Sequence, residues 1–115
     1  MNVKTFYETI GGNYEEIVAR FMGEARVLKF VRRFPADGSF ALLKESLANG
    51  NCEEAFRAAH TLKGVAQNLS FTALFEKAEV VTNILRGGSM AVEEHMPELE
   101  RLYNLTVDSI AQLED

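Results

Sequence analysis

Between Asn51 and Leu69 the chain reads NCEEAFRAAHTLKGVAQNL, and its chemistry gathers at His60, Lys63 and Gly64, with Arg57 one turn earlier and Gln67 two turns later. A neutral imidazole is a nucleophile at neutral pH, and each ring nitrogen offers a lone pair when the proton sits on the other. A phosphoryl group arriving there adds negative charge, which a lysine at i+3 is placed to neutralise. Glycine weakens a helix, so Gly64 at i+4 needs a reason: open approach to the ring, or close packing of a neighbouring helix. Arg57 could attract an anionic partner surface, and Gln67 could hydrogen-bond the phosphoryl group or water. Both could equally be solvated surface residues.

These side chains act together only if one helix holds them on one face. Ala55, Ala59, Leu62, Ala66 and Leu69 recur at alternating spacings of four and three, the apolar stripe of a core-facing helix. At about 100° per residue, His60, Lys63, Gly64 and Gln67 centre roughly 130° away from that stripe. The histidine therefore points to water or to a partner.

The rest of the chain reads as scaffold. Val3 to Ile10 predicts a short helix stopped by Gly11-Gly12, and Asn13 caps the next one, with Glu15 and Glu16 in its first turn. Gly23 divides that helix from a run through Val27, Leu28, Phe30, Val31 and Phe34, and Pro35 to Gly38 forms a turn. Ser39 or Asp37 caps a helix through Phe40, Leu43 and Leu47, and Asn51 caps the central helix. A further amphipathic run carries Phe71, Leu74, Phe75, Ala78, Val81 and Leu85 to Gly87-Gly88. The last helix starts between Ala91 and Pro97 and presents Leu99, Leu102, Thr106, Ile110 and Leu113. No strand-length alternation or hairpin signal occurs. The expectation is an all-α fold, an antiparallel up-down-up-down four-helix bundle built from the helices at Ser39, Asn51, Phe71 and about Pro97. The short N-terminal helices would pack over one end or side, and Phe30, Phe34, Phe40, Phe71 and Phe75 would belong to the core.

A chain of 115 residues makes one small domain, residues 1–115, with no room for a second catalytic one. The net charge of -5, with scattered basic residues, argues against nucleic acid as the main partner. Cys52 is the only cysteine, which excludes an internal disulfide, and no run has the length of a membrane span or the order of a signal peptide. A cytoplasmic protein that does not engage membranes is expected.

The string AAHTLKGVAQNL, preceded by Asn-Gly-Asn and Glu-Glu-Ala-Phe, closely resembles the histidine-containing phosphotransfer (HPt) domain of multistep two-component phosphorelays. The stretches IGGNYEEIVARF and FALLKESLANGN, and the helix ending LRGG, extend the resemblance over most of the chain. It implies that His60 is the phosphorylated histidine, that Lys63 stabilises the phosphohistidine and that Gly64 opens space beside the ring. The family motif usually carries glycine where this chain has Ser70, a departure that bears on the geometry at the end of the central helix. The implied partners are receiver domains of response regulators and a hybrid or upstream sensor histidine kinase. The implied cofactor is Mg2+ on the receiver, with none on this chain.

The resemblance implies a phosphocarrier, not an enzyme, and the sequence holds no nucleotide-binding or kinase motif. Met1 and the full helical set suggest a free-standing domain, and a monomer is preferred because one histidine face must remain free. The competing expectation is a helical interaction module without phosphotransfer, in which His60 and Lys63 are only surface. A metal site is a weaker third option: His95 lies among Glu93, Glu94 and Glu98, but no ligand spacing joins it to His60, and it reads as an exposed residue near a helix start. Cys52 reads as incidental.

Overall fold

The computed structural model describes residues 1–114. It contains α1 (Val3–Ile10), α2 (Tyr14–Phe21), α3 (Glu24–Val31), a 3-10 turn (Phe34–Ala36), α4 (Ser39–Ala48), α5 (Cys52–Asn68), α6 (Thr72–Arg86) and α7 (Met96–Ile110). All regular structure in the described residues is helical.

The helix starts follow local chemistry. Asn2, Asn13 and Asn51 each accept, through the side-chain oxygen, the backbone N–H three residues on, at 2.8, 3.0 and 3.1 Å. Each bond satisfies one of the amides that a helix start leaves without a partner. Asp37 accepts the Ser39 amide at 2.9 Å in the turn before α4. The break at Gly23 is present: Gly23 takes φ 130°, and Met22 before it is left-handed at φ 60°. The last helix ends earlier than its apolar pattern suggests, leaving Leu113 half-buried in the turn beyond α7.

The long helices pack in sequence, α4 on α5, α5 on α6 and α6 on α7. The first helix does more than cover an end. Val3, Phe6, Tyr7 and Ile10 of α1 are all buried, and α1 packs against α7 as well as α2 and α3. Phe71 is the hub of an aromatic cluster, with ring centroids 5.9 Å from Phe6, 5.8 Å from Tyr7 and 5.2 Å from Phe34. Tyr103 extends the cluster to Phe34 and stacks on Phe40 at 4.5 Å. Such separations suit edge-on and offset aromatic packing. Phe30 departs from the expected core: it is 40% exposed, because Val27 and Val31 take the buried positions of α3. Its ring meets Phe21 at 5.1 Å and lies under the Arg33 guanidinium.

The Gly11-Gly12 turn is a docking point. A Cβ on Gly12 would lie 2.6 Å from the Tyr7 ring and 2.8 Å from the Ser70 carbonyl oxygen, closer than real contacts allow. The neighbouring Asn13 amide donates to that carbonyl at 2.9 Å, and the Ala73 amide donates to Gly11 at 3.1 Å. Gly12→Ala should therefore lower stability by about 1–3 kcal/mol, the usual cost of overpacking, measured by urea unfolding.

Candidate functional site

The central helix α5 has two unlike sides. Ala55, Ala58, Ala59, Leu62 and Ala66 are buried. Four of these five are alanines, so α4 and α6 meet a nearly smooth surface. Glu53 and Glu54 occupy the first turn, where the helix dipole favours acids. On the other side His60, Gly64, Gln67 and Arg57 are exposed, and Lys63 is half-buried. Helical spacing puts His60, Lys63, Gly64 and Gln67 away from the buried stripe, as they are found.

Their engagements differ. Among the described residues His60 has no hydrogen-bond partner, and its ring meets the Phe56 ring, centroid to centroid 5.8 Å at 51°. Lys63 makes no ion pair or hydrogen bond among the described residues, so its ammonium is available at i+3 from the imidazole. Arg57 is partly committed, with Nη2 2.6 Å from the Glu53 carboxylate. That pair is well exposed on both sides, and such surface pairs hold weakly. Gln67 is tied through its backbone carbonyl, while its side chain has no recorded hydrogen bond.

Gly64 has open space around it. A Cβ built there meets nothing within 4 Å, so no neighbouring helix requires the glycine. Close helix packing is thereby removed as its reason. A side chain on a helix leans over the preceding turn, so anything larger at this position would lean toward His60.

The C-terminal end of α5 is fixed from a distance. Arg20 Nη1 donates to the Asn68 carbonyl at 2.6 Å and to the Gln67 carbonyl at 3.2 Å. The Tyr7 hydroxyl donates to the Leu69 carbonyl at 2.7 Å. Burial pushes the Tyr7 phenol above its ordinary pKa, so it remains a donor. These bonds use the carbonyls that a helix end leaves without partners.

Ser70 lies in this lock, in a left-handed conformation at φ 57°. Its amide donates to Gln67 and the Phe71 amide donates to Ala66, at 3.1 and 2.9 Å, the paired bonds of a Schellman helix end. Glycine would take that conformation without cost, whereas serine strains it. The hydroxyl offsets the strain by donating to the Glu16 carboxylate at 2.6 Å, and Arg20 Nη1 reaches its oxygen at 3.2 Å. The Ser70 hydrogen bond holds the Glu16 carboxyl below its ordinary pKa; desolvation opposes it, and the Arg20 charge adds a smaller lowering. The departure from glycine thus comes with its own partners.

His95 differs from expectation. It is half-buried at the position before α7, with Lys77 Nζ 2.8 Å from Nδ1 and a Glu94 oxygen 3.3 Å from Nε2. No group of three or more His, Cys, Asp or Glu among the described residues is arranged to hold a metal ion. Cys52 Sγ lies half-buried, 3.7 Å from the Leu85 carbonyl oxygen. A groove of about 620 Å3 between the end of α4 and the start of α7 contains none of the five site residues.

Three contributors were missed in the sequence. Phe56, four residues before His60, was legible from helical spacing; Arg20 and Arg86 were not, because they reach the central helix from α2 and α6.

An all-helical chain that presents an exposed histidine beside a lysine on a long helix defines a class of histidine-bearing helical domains. The family model described as "Hpt domain" matches residues 16–115, and the chain belongs to that family. Comparison with curated proteins and with solved structures gave no match. Hpt domains are phosphocarriers, not kinases; their role is phosphotransfer in two-component signalling, with kinases and response regulators as partners. Among the described residues no helix is long and apolar enough to cross a membrane.

The strained serine gives a graded expectation. Ser70→Ala keeps the left-handed strain and loses the hydroxyl bonds, so it should be less stable than Ser70→Gly by about 1 kcal/mol. Glu16 has a lowered folded-state pKa, so its contribution is present above the unfolded-state value and is lost as pH falls through the folded one. The gap between wild type and Ser70→Ala should narrow over that acidic window in urea titrations.

Proposed function

We propose that His60 accepts a phosphoryl group from the aspartyl phosphate of a receiver domain and passes it to the aspartate of another. The observation that carries this reading is an imidazole left exposed and without a hydrogen bond, one turn from an unpaired lysine and an unfilled glycine position, in an Hpt-family chain. In the transfer a ring nitrogen forms an N–P bond as the acyl O–P bond breaks, and the aspartate departs as a carboxylate. The ring's N–H proton passes to solvent, and the reverse sequence delivers the group onward.

In this reading Lys63 offsets the charge on the phosphoryl oxygens, and Gly64 leaves room for the incoming group and the receiver loop. Arg57 and Gln67 contribute at the margin, one by attraction and one by hydrogen bonding. Mg2+ belongs to the receiver, and the chain acts without ATP, mainly by positioning. The four longer helices are read as an up-down-up-down bundle within one domain, working as a cytoplasmic monomer downstream of a hybrid or sensor histidine kinase. Leu42, 42% exposed, lines a groove with Arg57 and Thr61 beside the histidine and offers apolar surface to a docking receiver.

The test is incubation with a labelled phospho-receiver and Mg2+. Wild type should gain acid-labile label and His60→Gln should gain none, while Lys63→Ala should slow transfer by roughly 10- to 100-fold. Label that persists on His60→Gln would remove the assignment to this residue. Failure with a full set of cognate receivers would favour an interaction module without phosphotransfer. Gly64→Ala should raise thermal stability by up to about 1 kcal/mol while slowing transfer, because it gains helix propensity and fills the open space.

A further inference from the structure

An exposed histidine without a hydrogen bond has little to hold its ring, yet in-line transfer requires a nitrogen fixed in direction. Helical side chains lean toward the preceding turn, which brings the His60 ring over residue 56. There it meets an aromatic ring at 5.8 Å, a separation suited to attractive aromatic contact. Phe56 is itself restrained: it is half-buried and packs on the core. The Arg86 guanidinium carbon lies 5.5 Å from the centroid of its ring, within cation–π range. Arg86 ends α6 and donates from Nη1 to Asn83 Oδ1 at 2.8 Å. A chain of contacts thus runs from the last turn of α6 through Phe56 to the imidazole.

The turn after His60 is the opposite, since nothing lies within 4 Å of a Cβ at Gly64. The ring has an aromatic wall on one side and open space on the other. We propose that Phe56, held by Arg86, is the positioning residue that sets the His60 rotamer and directs its reactive nitrogen away from the wall; this rests on His60 being the phosphoryl acceptor. An aromatic wall restricts the ring without occupying either nitrogen. A carboxylate partner would also orient it, but would hold the protonated form and tie up one nitrogen. A carrier that must both take and give a phosphoryl group keeps both nitrogens free this way.

The test uses the full chain with Phe56→Leu, Phe56→Tyr and Arg86→Met, each first shown by thermal melting to be folded. Phosphoramidate serves as a partner-free donor: its P–N bond breaks, ammonia leaves, and the imidazole nitrogen takes the phosphoryl group while the ring proton passes to solvent. Phe56→Leu should slow labelling of His60 about tenfold, and Arg86→Met should slow it less. Phe56→Tyr should restore the wild-type rate. In the unphosphorylated protein, NMR couplings should report one His60 χ1 rotamer for wild type and Phe56→Tyr, and averaged rotamers for Phe56→Leu. A folded Phe56→Leu protein with the wild-type rate and a single rotamer overturns the proposal. If wild type accepts no phosphoryl group from phosphoramidate or from receivers, the reading of His60 as acceptor fails. The coupling measurement, which needs no phosphorylation, then decides alone whether Phe56 sets the ring.

Discussion

One helix has to be buried on one side and bare on the other, and the molecule is arranged around that constraint. The buried stripe of α5 is mostly alanine, so α4 and α6 meet a helix with little side-chain relief to hold them apart. Larger residues there would hold the neighbours away. The exposed side can then carry a histidine, a lysine and a glycine that contribute nothing to the core. Helix stability comes from the packed side, which leaves the other side free to be set by chemistry.

A bare helix face is useful only if the helix cannot shift along its axis or fray. The end of α5 lies about 12 Å beyond His60, and it is fastened by groups from the first two helices. Tyr7 and Arg20 take its last carbonyls, and the Asn13 amide takes the carbonyl of Ser70. Gly12 allows that approach because any side chain there would strike both Tyr7 and Ser70. The N-terminal helices are therefore more than a covering. They join the aromatic cluster around Phe71 and fix the end of the helix that presents the site.

The electrostatics of the exposed face suit a transient encounter. Arg57 is held by Glu53 in a pair that water can readily open, whereas Lys63 has no carboxylate partner among the described residues. A cation already locked in a buried pair would have to lose that pair before meeting a phosphoryl group. Ser70 shows the same economy in backbone geometry. A position that favours glycine is held by serine, and its hydroxyl recovers part of the strain through Glu16 and Arg20.

The sequence by itself determined the helices, the caps at Asn13 and Asn51, the buried stripe of α5 and the outward direction of His60, Lys63, Gly64 and Gln67. Those features follow from helical periodicity and from side chains bonding to backbone a few residues away, both of which are local. It left two reasons open for Gly64, because an intrahelical glycine looks the same whether a neighbour or empty space faces it. It placed Phe30 in the core and His95 on the surface, and both assignments depended on what other helices brought against them. Only the tertiary structure decided these points, along with the Arg20 and Tyr7 clamp and the Arg86–Phe56–His60 contacts. Each joins residues from separate helices, and their meeting depends on how helices dock, which no local spacing records.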